Sequence, residues 1–299
     1  MNKKLFIIVL ALIIIGAGFV VGRGILAEEF IQVRGSDTQV NLTQQLAETY
    51  MEEYSDATLS VTGGGSGTGI AALINGQVDI ANSSREISET EIQQARDQGI
   101  EPVRIIIAMD GLSVITHEDN PVEALTVEEI GKIFRGEITN WKELGGEDRE
   151  ISPYGRQSNS GTFVYFRENV LQDDYTDKMM RMNGNAQIVE GVMADRGAIG
   201  YVGIGYVVED GKAVEGVNII NVAVDEDSEA ATPLNPKNVA TGKYPIARPL
   251  NQYIDGQPEG AIRDFMEFIV SEKGQEIAVN AGFYPISPEF QEENEKVLD

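Results

Sequence analysis

Short runs of β-branched and apolar residues alternate along this chain with segments whose apolar positions recur at helical spacing, the pattern of an α/β protein rather than of a β-sandwich. Strands are predicted at Phe30 to Val33, Thr58 to Val61, Val78 to Ala81, Val103 to Ala108, Leu112 to Thr116, Ile151 to Tyr154, Ala198 to Val202 and Val217 to Val222. Val40 to Tyr54 places Leu46, Ala47, Tyr50, Met51 and Tyr54 on one helical face. Ser88 followed by Glu91 reads as a capping box, and Gly99 is placed to end the helix that it starts. Thr126 to Phe134 and Arg263 to Ile277 are further helices, with the loop GEITNW (Gly136 to Trp141) after the first of them. Near Asp110 to Ile115, and again at YPIARPL (Tyr244 to Leu250), the chain runs on without a turn signal. Two such crossings predict two lobes joined by a two-strand hinge: residues 28–112 with 248–299, and residues 113–247.

The N-terminus departs from this alternation. Lys3 and Lys4 precede an uncharged apolar run from Leu5 to about Val21, followed by Gly22, Arg23 and the acidic Glu28 and Glu29. The run is long for a signal-peptide core and short for a spanning helix, so residues 1–27 read either as a cleaved signal or as a membrane anchor. Both place the rest of the chain outside the cytoplasm.

Composition narrows the classes. The 299 residues are 42% hydrophobic, enough for a full core, and 23 Lys and Arg stand against 48 Asp and Glu, a formal net charge of -25. That balance argues against nucleic acid or an anionic membrane surface as the partner. With no cysteine in the chain, disulfides, thiol nucleophiles and cysteine-ligated metals are excluded.

Candidate chemistry gathers in three segments that lead from a strand, through glycine and small hydroxyl residues, into a helix: VRGSDT (Val33 to Thr38), VTGGGSGTG (Val61 to Gly69) and YGRQSNSGT (Tyr154 to Thr162). The first amides of a helix lack internal partners, and glycine lets an anion approach that bare backbone. Ser66 and Thr68, flanking Gly67, together with Ser160 and Thr162, which flank Gly161, offer hydroxyl donors. Arg156 offers a planar, permanently charged fork. The ordinary alternative for each hydroxyl is a plain helix cap.

Enzyme signatures are missing. A nucleotide P-loop needs lysine after its last glycine, where Gly69 is followed by Ile70. A hydrolase elbow needs G-x-S-x-G, where Thr68 stands in place of the last glycine. The single histidine, His117, lies in HEDNP, a turn, and the run Asp225, Glu226, Asp227, Glu229 lacks the spacing of a calcium loop. Neither a catalytic residue nor a metal or cofactor site is predicted.

The segments GSDT, GGGSGTGIAAL, VDIANSSREI (Val78 to Ile87), DGLSVITHEDNPV (Asp110 to Val122), IFRGEITNW, RQSNSGT, GAIGYVGIGY (Gly197 to Tyr206) and YPIARPL, in this order, resemble those of the Pst-type phosphate-binding proteins. The resemblance covers about Ile31 to Pro285. It implies a non-enzymatic receptor of a phosphate ABC transporter, with a type II periplasmic-binding-protein-like fold that holds one dehydrated phosphate between two lobes and serves membrane permease subunits, most simply as a monomer. Another tetrahedral oxyanion, or an exported phosphoester hydrolase, is the alternative. By position, the resemblance places ligand contacts at Ser36, Asp37, Thr38, Ser66, Ser84, Arg156, Ser160, Gly161 and Thr162. This chain departs from the family pattern at Ser84 and Ser158, where the family often carries acidic residues. Asp37, the carboxylate within the three loops, is the expected substitute acceptor for the proton of hydrogen phosphate, with a helix cap as its other reading. Arg85 is either a second cation at the site or a surface residue.

Overall fold

The computed structural model describes residues 29–53 and 57–299. The expected export segment, residues 1–27, and Tyr54 lie outside them. The chain opens with three strand–helix units: β1 (Glu29–Gly35) and α1 (Val40–Glu53), β2 (Ala57–Thr62) and α2 (Ser66–Ile74), β3 (Ile80–Ser83) and α3 (Glu89–Asp97). Of the predicted face of α1, Leu46, Ala47 and Tyr50 are buried and Met51 is half-buried; Leu42, outside that prediction, is buried with them, and each leucine contributes about 1.5–3 kcal/mol by leaving water. Ser88 and Glu91 form the capping box at the start of α3.

Next come β4 (Pro102–Gly111), β5 (Ser113–His117), β6 (Ala124–Thr126), α4 (Val127–Arg135), β7 (Ser152–Arg156), α5 (Gly161–Phe166), β8 (Met180–Met182), α6 (Asn185–Ala194) and β9 (Ala198–Val202). A small hairpin of β10 (Val208–Glu209) and β11 (Lys212–Ala213) precedes β12 (Val217–Ile219), β13 (Asn221–Ala223) and α7 (Pro236–Ala240). The chain then returns through β14 (Ala247–Asp255) and ends in α8 (Gly260–Val270), α9 (Glu272–Asn280) and α10 (Pro288–Leu298).

Two five-stranded sheets result, ordered β2-β1-β3-β14-β4 and β12-β5-β9-β7-β8. The first joins parallel β1, β2 and β3 to antiparallel β14 and β4; in the second, β7 runs parallel to β8 and β9, while β5 is antiparallel to β9 and β12. The chain passes between the sheets at Leu112 and again just ahead of Ala247, which pairs with Gly111. Strand ends therefore bring the loops after β1, β2 and β3 toward the loop after β7, the usual place for a ligand in an open α/β sheet.

Three elements differ from expectation. The run Val217 to Val222 divides at Ile220, because β12 pairs with β5 while β13 pairs with β6 in a separate ladder. The strand expected from Val78 starts at Ile80, since Asp79 hydrogen-bonds Gln32 through both its amide and its carboxylate ahead of the ladder. The single helix expected from Arg263 to Ile277 breaks at Ser271, which is extended and accepts from the Gly274 amide, starting a new helix. Trp141 packs under the second sheet, buried, with its indole N–H donating to the Gly197 carbonyl at 2.9 Å. His117 caps its own turn, accepting from the Asp119 amide at 3.0 Å.

Candidate functional site

The loop after each parallel strand delivers a hydroxyl to one buried cluster. Ser36 and Thr38 follow β1, Ser66 opens α2, Ser84 follows β3, and Ser160 and Thr162 lead into α5. Contacts cross from the first sheet to the second: Thr38 Oγ1 lies 2.7 Å from Thr162 Oγ1, and Ser84 Oγ lies 3.3 Å from the same atom. Ser36 donates to Ser84 Oγ at 2.9 Å, and Ser66 Oγ is 3.3 Å from it.

Fixed N–H groups then decide which way these hydroxyls face. Thr38 N donates to Ser36 Oγ at 3.2 Å, Ser84 N to Ser66 Oγ at 3.1 Å, Phe163 N to Ser160 Oγ at 3.4 Å and Arg248 Nη2 to Thr162 Oγ1 at 2.9 Å. Each takes one lone pair and leaves the hydroxyl hydrogen to turn toward another acceptor, as Ser36 turns its own to Ser84 Oγ. Gly161 is needed for the approach itself, since a Cβ there would run into Ser66 Oγ and lie 2.9 Å from Ser84 Oγ. Gly65, at φ 91, places the loop against Asn159, whose carbonyl accepts from Gly67 N at 3.0 Å and whose side chain reaches the Gly64 carbonyl at 2.9 Å.

Beside this cluster lies Arg156, 2% exposed, with Nη2 donating to Asp37 Oδ2 at 2.5 Å and to the Asn183 carbonyl at 2.8 Å. Its Nε and Nη1 are buried and have no partner among the described residues. An unpaired buried donor costs about 1–3 kcal/mol, more when charged, so two of them on one guanidinium point to an anion as the missing acceptor. The arginine is held in place from behind. Its amide donates to the Tyr201 hydroxyl at 3.1 Å, and the Tyr201 ring stacks on Phe166 at 4.0 Å between centroids. Burial pushes the Tyr201 phenol up to about 12, so it stays neutral in this role.

Asp37 sits across from Arg156 as its ion-pair partner, 21% exposed, with Oδ1 accepting from Gly64 N at 2.8 Å. Its backbone carbonyl takes the Tyr206 hydroxyl at 2.5 Å. Burial, then the charge of Asp37, pushes that phenol up to about 12. Asp37 thus supplies the acidic neighbour that Ser158 does not.

Other expected residues stand outside the cluster. Arg85 forms a two-pronged pair with Glu91, at 2.7 and 2.6 Å, and also donates to the Glu86 carbonyl. Burial alone would raise the Glu91 carboxyl; hydrogen bonds from Arg85 and Ser88 outweigh it and hold the group below its ordinary value. Thr68 bonds back to the Gly64 carbonyl at 2.7 Å, and the amide of Gly67 is taken by Asn159.

Sequence reasoning passed over Arg248, 1% exposed, which links Asp110, Ser84 and Thr162, and over Asn159, Tyr206 and Asn183. The available signal was an arginine inside the apolar, proline-flanked YPIARPL, where a buried charge requires a paired acid.

Residues 22–273 match the family model of the PBP superfamily domain. Phosphate-binding protein PstS of Bacillus subtilis is 32% identical over 262 residues, covering 86% of this chain and 81% of the relative. Phosphate-binding protein PstS of Pseudomonas aeruginosa is 29% identical over 282 residues, covering 88% and 85%. Among solved structures, a substrate-binding protein assigned to phosphate ABC transport from Clostridium perfringens, with phosphate bound, superimposes with a TM-score of 0.76 at 29% identity, covering 87% of this chain and 100% of its own. An ABC-type phosphate transport receptor from Vibrio cholerae does so with a TM-score of 0.69 at 27% identity, covering 86% and 100%.

Proposed function

The chain belongs to the PBP superfamily, among the PstS-type phosphate-binding proteins with their type II α/β fold, and from that footing we propose that it captures inorganic phosphate between two lobes for an ABC transporter. The observation that carries this reading is the buried Arg156, with two unpartnered N–H groups beside hydroxyls drawn from both sheets. The protein acts as a receptor and not as an enzyme. The lobes are residues 28–112 with 248–299, and residues 113–247, hinged where β4 passes into β5 and where the chain enters β14. Its site residues are Ser36, Asp37, Thr38, Ser66, Ser84, Arg156, Ser160, Gly161 and Thr162; Gly67 and Thr68 shape the glycine loop, and Arg85 borders the site.

Binding energy is sufficient without chemistry. Hydrogen bonds to charged groups contribute about 1.5–3 kcal/mol each, so a few from Arg156 and the hydroxyls exceed the roughly 8 kcal/mol of micromolar affinity after ordering costs. Because contacts come from both lobes, the anion favours the closed form by its difference in affinity between closed and open states, and permease subunits read that closed shape. The receptor works outside the cytoplasm as a monomer. Among the described residues no helix is long and apolar enough to cross a membrane.

The test is calorimetric titration of the chain lacking residues 1–27, stripped of ligand, with phosphate, sulfate, molybdate and tungstate. Micromolar or tighter binding of phosphate above the others is expected. Preference for another oxyanion would move the substrate while keeping the site, and binding of none would reduce the three loops to helix caps.

A further inference from the structure

Arg248 and Asp110 face each other across the β14–β4 ladder at the crossing between the sheets, 1% and 0% exposed. Asp110 Oδ2 accepts from Arg248 Nε at 3.1 Å and Nη2 at 2.9 Å, while Oδ1 accepts from the Ile204 amide, beyond β9 in the second sheet, at 3.0 Å. The arginine has further hydrogens to use. Nη1 donates to the Ser84 carbonyl at 2.7 Å, and Nη2 donates to Thr162 Oγ1 at 2.9 Å. The guanidinium carbon also lies 5.0 Å from the centre of the Tyr165 ring, on α5.

A buried ion pair is weak evidence of stabilisation, because desolvation offsets much of its attraction and an apolar pair of similar volume often serves as well. What an apolar pair would not supply is the donation to Thr162. That hydroxyl lies 2.7 Å from Thr38 Oγ1 and 3.3 Å from Ser84 Oγ, where the two sheets' loops meet. Were its oxygen unoccupied, it could turn a lone pair toward an incoming anion.

We propose that Arg248, held by Asp110, is a positioning residue for anion binding: its N–H on Thr162 Oγ1 turns the Thr162 hydroxyl hydrogen toward the anion. The proposal rests on the phosphate-receptor reading. Arg248 makes no contact with the anion and acts through Thr162. Asp110 neutralises the Arg248 guanidinium, whose nitrogens all have acceptors, while Arg156 keeps Nε and Nη1 without partners for the anion.

The test is a double-mutant cycle, R248K against T162V, read as phosphate affinity by calorimetry. Lysine keeps the charge opposite Asp110 but lacks the fork that reaches Asp110, Ser84 and Thr162 together. R248K is expected to weaken phosphate about tenfold to a hundredfold in the native background, and less than about threefold once Thr162 is valine. A purely structural arginine would cost the same factor in both backgrounds, and that result, or no loss in either, overturns the proposal. Should R248K not fold, R248Q with D110N removes both buried charges together and carries the same comparison. A wild-type chain that binds no phosphate would refute the receptor reading itself; phosphate-binding wild type with an unaltered R248K refutes only the role of Arg248.

Discussion

Replacing Asp37 by asparagine separates two roles that its position allows. Its carboxylate accepts from Arg156 Nη2 at 2.5 Å and from Gly64 N at 2.8 Å. Two oxygens offer about four lone-pair positions, so a third donor can be taken. Hydrogen phosphate brings that donor as its own proton, whereas sulfate at neutral pH has none and would set an oxygen against the carboxylate. In D37N the amide presents N–H where the acid presented a lone pair, so phosphate loses a charged hydrogen bond of about 1.5–3 kcal/mol and sulfate loses a repulsion. The change also releases Arg156 Nη2 from its acidic partner, which helps either anion. The phosphate-over-sulfate ratio should therefore fall about tenfold to a hundredfold, mostly through weaker phosphate binding. Parallel calorimetric titrations of wild type and D37N at neutral pH measure it. If both affinities drop together and the ratio holds, Asp37 only orients Arg156, and the selectivity argument is wrong.

Three other outcomes are expected. G161A puts a methyl group against Ser66 and Ser84, an overpacking cost of about 1–3 kcal/mol that falls on closure, so phosphate affinity should drop about fivefold to a hundredfold; wild-type affinity would contradict the close approach. The net charge of -25 opposes anion capture, so added salt should leave the phosphate association rate in stopped-flow flat or raise it, and a steep fall would show that local attraction controls the rate. Burial pushes Tyr201, Tyr206 and Tyr253 up to about 12, while unfolded tyrosine ionises near 10. The raised values favour the neutral, folded form, so their contribution is complete below about pH 10 and is lost as pH rises toward 12. Melting temperature should decline across that window, with tyrosinate absorbance from these residues in the folded chain appearing only toward pH 12; ionisation of all tyrosines near pH 10 in a folded chain would refute it.

Much of this was written locally. Strand–helix alternation, the Ser88–Glu91 capping box, the helix at Val40 and the three glycine-and-hydroxyl loops each depend on residues within a few positions of one another, where hydrophobic period and capping chemistry act. The break at Ser271 carried a signal too, a serine three residues before the Gly274 amide that it caps, but helical periodicity on both sides concealed it. The fate of Val217 to Val222 had no local signal, since both halves are good strand and only their partners differ.

By itself the sequence determined the α/β class, the acidic, cysteine-free character of the chain and the loops that furnish hydroxyl and backbone donors, because propensity, charge and capping are properties of neighbours. It also named Arg156 as the cation. Only the tertiary structure decided that Asp37 pairs with that arginine from 119 positions away, that Arg248 meets Asp110 across 138, and that Arg85 turns to Glu91. Each of these charges has several possible partners in the chain. Which one it takes depends on burial, which forces a charge to accept the opposite group that the packed sheets bring within reach.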